Sequence, residues 1–205
     1  MGDILISVVM VVHDQAEQLA RNLPLFLDVA EEANAEIIVV DDTSSDETTD
    51  LLQQMRGSNE RLYSTFLPSS IVTKQNRLQL ALSLGVKASK GAYVVFADIC
   101  RPPVSVQWLT GLADGEAALV FSQPNDARVN HVVATELEDF SNIVKKAERK
   151  GTDGHKGIRM KIQRGLYDAL SVKRKRAFDA LKLFDQPIDN IRLIGLALST
   201  WLRMS

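Results

Sequence analysis

Two adjacent carboxylates, Asp41 and Asp42, follow directly on the apolar run Ile37-Ile38-Val39-Val40. Consecutive β-branched residues without polar alternation mark a strand covered on both faces, as in a parallel sheet. Open α/β sheets bind ligands at the carboxyl ends of their strands, so acids delivered there form a ligand-binding corner. Asp98 repeats the arrangement, directly after Tyr93–Ala97. A purely local role is open to the same residues: Asp42 and Asp46 can shape the turn, and Ser44 with Glu47 three positions on fits a capping box that starts a helix.

The elements that must position these acids alternate along the chain. Ile4–Val12 reads as a strand, and His13-Asp14-Gln15 opens a helix with Leu19, Leu23, Phe26, Leu27 and Ala30 at helical spacing. After the Ile37–Val40 strand come a helix over Thr48–Met55, a strand over Arg61–Leu67, a helix over Thr73–Ala88 and the Tyr93–Ala97 strand. Such alternation predicts an α/β domain with a mostly parallel central sheet and helices on both faces. Beyond Pro102-Pro103 the pattern predicts a short helix capped by Ser105, strands over Ala117–Phe121, Val129–Thr135 and Gly165–Val172, and helices over Glu136–Lys150, Lys173–Leu183 and Ile188–Met204. Three glycines in Gly151–Gly157 suggest a loop. Neither G-x-G-x-x-G nor G-x-x-x-x-G-K-S/T occurs, so the ligand at the strand ends is held by neither glycine device.

With 205 residues the chain suits a single domain, 45% hydrophobic and 24% charged, as soluble globular proteins are. A net charge of −2 implies no nucleic-acid partner. Cys100 is the one cysteine, which excludes an internal disulfide and fits a reducing, cytoplasmic setting. The opening lacks the charged and apolar regions of a signal peptide, and Ile4–Val12 is too short to span a bilayer. Charge is uneven, however: residues 142–182 carry thirteen Lys or Arg against four acids. That stretch is either a solvated face or an anion site for a phosphate or an acidic membrane surface, which would place the protein at the membrane's inner face. His131 and His155 fall in no recognisable arrangement.

Taken in order, these pieces resemble a family 2 glycosyltransferase of the GT-A, nucleotide-diphospho-sugar transferase type. Ile6–Asp14 is similar to the family's opening strand and P-V-Y-N turn, without its Pro and Tyr. Glu36-Ile37-Ile38-Val39-Val40-Asp41-Asp42-Thr43-Ser44-Ser45-Asp46 is close to E-I-I-V-V-D-D-G-S-T-D, and Gly85–Asp98 is similar to the helix, glycine and strand that carry the family's D-x-D. Residues 4–110 are covered well and 111–205 by layout only, which implies one domain with a nucleotide-binding half (1–110) and an acceptor-side half (111–205).

The resemblance implies a nucleoside-diphosphate sugar as donor and a glycan or lipid-linked hydroxyl as acceptor. It puts Val12, His13 and Asp41 on the nucleoside, helped by Arg77, with Asp98 on the ribose and on Mn²⁺ or Mg²⁺. The D-x-D reads Asp98-Ile99-Cys100 here, so the second metal acid is a cysteine and metal affinity is weakened. Read by itself, Cys100 is a small buried hydrophobe. Positive charge on the leaving diphosphate would then come from Arg101, or from Arg174 and Arg176. Asp189 is the nearest counterpart of the family's carboxylate base, and would otherwise cap the last helix. These departures also fit a degenerate relative that binds nucleotide without catalysis. A nucleotidyltransferase is disfavoured, since Val12-His13-Asp14-Gln15 lacks a glycine-rich basic loop.

Overall fold

A computed structural model describes residues 5–69, 74–103, 105–113, 119–123, 131–135 and 169–181. Strand β1 (Ile6–Val12), helix α1 (Ala16–Glu32), β2 (Ala35–Asp41), α2 (Thr48–Gly57) and β3 (Leu62–Phe66) come first. Then follow α3 (Lys74–Ala88), β4 (Tyr93–Ala97), α4 (Val106–Leu112), β5 (Leu119–Gln123), β6 (His131–Thr135) and β7 (Ala169–Lys173). A 3-10 turn (Arg174–Arg176) leads from β7 into α5 (Ala177–Leu181). The helix expected over Lys173–Leu183 is therefore split into these two pieces. Glu136–Lys150, Gly151–Gly157, His155, Asp189 and Ile188–Met204 lie outside the described residues.

One sheet carries all seven strands in the order β3-β2-β1-β4-β7-β5-β6. Strands β3, β2, β1 and β4 pair in parallel, and β7 enters antiparallel between β4 and β5. Five of the seven strands thus run one way, and the first four supply the strand ends of interest. Residues Ile6–Met10 and the whole of β2 are buried, which accounts for the absence of alternation in their sequences.

Right-handed crossovers place α1 and α2 on one face and α3 on the other. On the first face, Val8, Met10, Ile37 and Val39 pack against Leu23 and Phe26 of α1 and Trp108 of α4. On the second, Val40 and Leu67 pack with Ala81 of α3. Helix α4 begins as anticipated, with the Ser105 hydroxyl accepting from the Trp108 N–H at 3.3 Å. Among the described residues no helix is long and apolar enough to cross a membrane.

The amino ends of the strands are locked by a small buried polar network. Glu36, 5% exposed, accepts from the Ser7 hydroxyl at 2.6 Å and the Lys90 N–H at 2.7 Å, and the Gly91 N–H donates to the same hydroxyl at 2.8 Å. Gly91 must be glycine, because a Cβ there would stand 2.7 Å from the backbone of Ile6 and Ser7. Gly91→Ala is expected to lower stability by about 2–4 kcal/mol, through forced separation of β4 from β1 and loss of the Ser7 bond. Urea unfolding checks it.

In the middle of β7 the hydroxyl of Ser171 is buried without a hydrogen-bond partner among the described residues, between Val95 of β4 and Val120 of β5 in the sheet register. An orphaned hydroxyl in that position is a net cost. Ser171→Ala should raise the thermal midpoint or leave it unchanged, where loss of a satisfied buried serine would lower it.

Candidate functional site

The sheet winds from β1 through β2 to β3 on one side and resumes with β4 on the other, so strand order reverses at β1. The crevice at the carboxyl ends of β1 and β4 is the topological switch point, where open α/β sheets hold ligands. Three loops meet there: His13–Gln15 after β1, Asp42–Glu47 after β2, and Asp98–Arg101 after β4.

The first two loops are laced together. Asp14, with φ 50°, turns its Oδ1 onto the Ser45 N–H at 2.6 Å, the Ser45 hydroxyl at 3.2 Å and the Asp46 N–H at 3.3 Å. Its own N–H donates to the Ser44 hydroxyl at 3.0 Å. Asp46 accepts from the Thr48 N–H at 3.0 Å and from the Ala16 N–H at 3.1 Å, so one carboxylate caps α1 and α2 together. The expected Ser44–Glu47 capping box does not form. Ser44 is used by Asp14, and α2 starts later, at Thr48.

These bonds hold both acids below the ordinary aspartate range, Asp14 chiefly through the Ser45 N–H and Asp46 chiefly through the Thr48 hydroxyl. Because the folded state depresses them, their contribution to stability is complete above about pH 4 and is lost as pH falls through the folded values. Amide exchange at Ser45 and Thr48 should therefore speed up, relative to the β2 amides, on acidification below about pH 4.

The two aspartates after β2 divide their work differently from the expectation. Asp41 is 3% exposed, with Oδ1 accepting from the Ser44 N–H at 2.9 Å and Oδ2 from the Thr49 hydroxyl at 2.6 Å. It is in phase with Ile37 and Val39, faces α2 and shapes the turn, with both oxygens engaged within the chain. Asp42 falls on the opposite face. Arg77 donates to its Oδ1 through Nε at 2.9 Å and also through Nη2, and the same guanidinium holds the Pro68 carbonyl at 3.1 Å and the Thr43 hydroxyl at 3.2 Å. Arg77 thus serves the loop, fixing Asp42, and not an open surface. Asp42 Oδ2 accepts from no described residue and is the carboxylate oxygen that this corner presents.

Thr43, the residue after it, sits at φ 57°, a left-handed conformation costly for a β-branched side chain. Its hydroxyl donates to the Asp42 carbonyl at 2.6 Å, which helps hold that strained turn in place.

His13 is exposed, and its Nδ1 lies 2.7 Å from the Asp42 carbonyl oxygen. The imidazole therefore joins the ends of β1 and β2 at the mouth of the crevice. Val12 does not offer a comparable group: its side chain is fully buried and its carbonyl accepts from the Asp42 N–H at 2.8 Å. It forms the floor of the corner.

Across the crevice, Asp98 Oδ1 accepts from the Cys100 N–H at 2.9 Å, and its carbonyl accepts from the Arg101 N–H at 2.9 Å, closing a tight turn. Asn22 of α1 pins that turn by donating to the Ile99 carbonyl at 2.8 Å. Ile99 points inward and is buried, whereas Cys100 is exposed, contrary to the expectation of a buried hydrophobe. Gln15 spans the crevice and donates to its sulfur at 3.4 Å. Partial desolvation of the sulfur, followed by the Asp98 carboxylate, pushes the thiol up, and the nearby Arg101 guanidinium pulls it down.

Among the described residues no three His, Cys, Asp or Glu side chains gather into a metal-holding group, and Asp98 has one oxygen already engaged. The Cys100 sulfur is a softer donor than the oxygens that hard divalent cations prefer.

Arg174 and Arg176 fall elsewhere. Strand β7 runs against β4, so Lys173 pairs with Tyr93 and the following arginines emerge at the amino end of β4. Arg174 donates from its backbone to the Ala92 carbonyl at 2.8 Å and from Nη1 to the Ser89 carbonyl at 2.9 Å. The sheet, about 20 Å long at β1, separates them from the crevice, so they do not serve a diphosphate bound there. Arg101 is the described sequence-predicted cation at the correct end.

Residues 7–99 match the model of glycosyl transferase family 2. No curated protein matches the sequence. Among solved structures, the chain is similar to the mannosyltransferase PcManGT from Pyrobaculum calidifontis in complex with GDP-Man and Mn²⁺, with a TM-score of 0.54 and 18% identity over 83% of this chain and 44% of that one. It is also similar to S. aureus TarS 1–349, with a TM-score of 0.53 and 15% identity over 86% of this chain and 49% of that one. At such identities the likeness is one of fold, and the chain spans less than half the length of either protein. Sheet order and strand-end crevice agree with that likeness: the chain has a GT-A-like α/β fold, and its residues 7–99 match the model of glycosyl transferase family 2.

Proposed function

We propose that the chain binds a nucleoside-diphosphate sugar in the switch-point crevice and transfers the sugar to a hydroxyl of a growing glycan. The observation that carries this reading is the convergence at one crevice of a held, partly exposed carboxylate from β2 with a second one from β4, within the family 2 segment. Asp42 Oδ2 accepts a hydrogen bond from the nucleobase, and Asp98 accepts from the ribose hydroxyls. His13 lines the same pocket, while Val12, Asp41 and Arg77 hold its shape. Arg101, on the same turn as Asp98, supplies positive charge to the diphosphate as its bond to the sugar breaks. The GDP-Man complex of the structurally similar mannosyltransferase supports a donor of this chemical class.

Transfer to a hydroxyl requires a base for the acceptor's proton. Asp189 is the candidate we retain for that role, from the sequence comparison alone. The test is sugar transfer or release from a panel of UDP-, GDP- and dTDP-sugars, with and without Mn²⁺. Turnover of at least one donor is expected, abolished by Asp189→Asn. Silence across the whole panel contradicts the assignment of transferase activity.

A further inference from the structure

The amino ends of the strands, opposite the crevice, carry a charge feature that the proposed reaction does not use. Lys87 and Lys90, at the end of α3, are exposed there. The bonds from Arg174 to the Ser89 and Ala92 carbonyls bring the β7 exit against them, adding exposed Arg174, Lys175 and Arg176. Five exposed cations from segments about ninety residues apart in sequence thus share one end of the molecule. Phe178 follows immediately and is 48% exposed, although its neighbours Ala177 and Leu181 are buried. Asp179 is the acid on the same segment, and Glu31 and Glu32 end α1 on the opposite face of the sheet.

Clustered Lys and Arg around an exposed aromatic ring suit the interface of an anionic bilayer, where the cations meet lipid headgroups and the ring enters the acyl boundary. A single-stranded nucleic acid would engage the cations and stack a base on the ring, but this patch is confined to one end of a chain of net charge −2, without the long basic stripe that tracks a nucleic-acid backbone. We propose that this end of the molecule, Lys87, Lys90, Arg174, Lys175, Arg176 and Phe178, is a docking surface for a membrane rich in anionic lipid. The crevice then faces water, away from the bilayer.

Co-sedimentation of the full chain with phosphatidylcholine vesicles and with vesicles containing about one third phosphatidylglycerol tests it. Binding is expected only to the anionic vesicles, falling steeply between 0.1 and 0.5 M salt by screening of exposed charge, concentrations roughly spanning Debye lengths of 10 Å and 4 Å. Each cation near the surface is worth about fivefold in affinity, so Lys175→Glu with Arg176→Glu should weaken binding at least about tenfold. Lys87→Glu with Lys90→Glu, on the other segment, should do the same, and Phe178→Ser should weaken binding while keeping its salt dependence. Circular dichroism melts matched to the parent show that the variants fold. Equal binding to both vesicle types, no binding, binding unaffected by either charge pair, or displacement of the vesicles by single-stranded RNA at lower concentration each overturns the proposal.

Discussion

Replacing Asp42 with Ala is expected to weaken binding of the preferred nucleoside diphosphate at least tenfold and to lower stability at the same time. The first effect follows from losing an ionised acceptor, worth about 1.5–3 kcal/mol against a ligand N–H. The second follows from its partner: Arg77 and Asp42 are only 13% and 17% exposed in their side chains, so truncation leaves a largely buried guanidinium without its carboxylate. A loss of about 2–4 kcal/mol is expected in chemical denaturation. The two effects separate in Asp42→Asn, which retains an acceptor for Arg77 and most of the stability but changes how the nucleobase is read. Asp41→Asn is predicted to do the reverse, costing stability through the Ser44 and Thr49 bonds with little change in nucleotide affinity. Calorimetric titration beside urea unfolding distinguishes the pair.

The second large effect concerns the cation. Cys100→Asp places a second carboxylate two residues from Asp98, on an exposed position whose contact to Gln15 is a weak N–H···S bond. Hard divalent cations prefer oxygen donors, and each added carboxylate strengthens their hold. Mn²⁺ affinity, followed by the loss of the free-ion electron paramagnetic resonance signal, should rise at least about tenfold over the parent chain. Cys100→Ser, which adds an oxygen without the charge, should not reproduce the gain. An unchanged Mn²⁺ affinity in Cys100→Asp would mean that the second acid is not what this corner lacks.

The fold of the first hundred residues was largely legible in the sequence, because unbroken β-branched runs and helical periodicity each point to a single kind of element. Tyr93–Ala97 was placed to the residue, and β2 within two residues at its start. Which of Asp41 and Asp42 faces the crevice was not legible. A strand buried on both faces has no polar alternation, so nothing local says which face α2 covers and which α3. Only the winding of the sheet assigns Asp41 to Thr49 and Asp42 to Arg77. The capping box failed for a related reason: Ser44 and Asp46 fit a local helix start, but long-range partners in the β1 loop claim them. Arg174 and Arg176 were assigned to the diphosphate from charge density alone. Their actual end of the sheet depends on β7 running antiparallel to β4, which no spacing in the sequence encodes. Cys100 was misjudged because cysteine's average burial says nothing about a residue displayed on a turn between a buried Ile99 and the crevice.

The central claim is that the crevice at the carboxyl ends of β1, β2 and β4 holds the nucleotide. Amide chemical-shift mapping of the isotope-labelled chain, titrated with UDP and separately with GDP, tests it most directly. The account predicts saturable shifts for at least one of them at His13, Asp42 to Ser45 and Asp98 to Arg101, absent in Asp42→Ala. Shifts confined to Lys87, Lys90 and the Arg174–Arg176 turn, or none with either nucleotide, would contradict it.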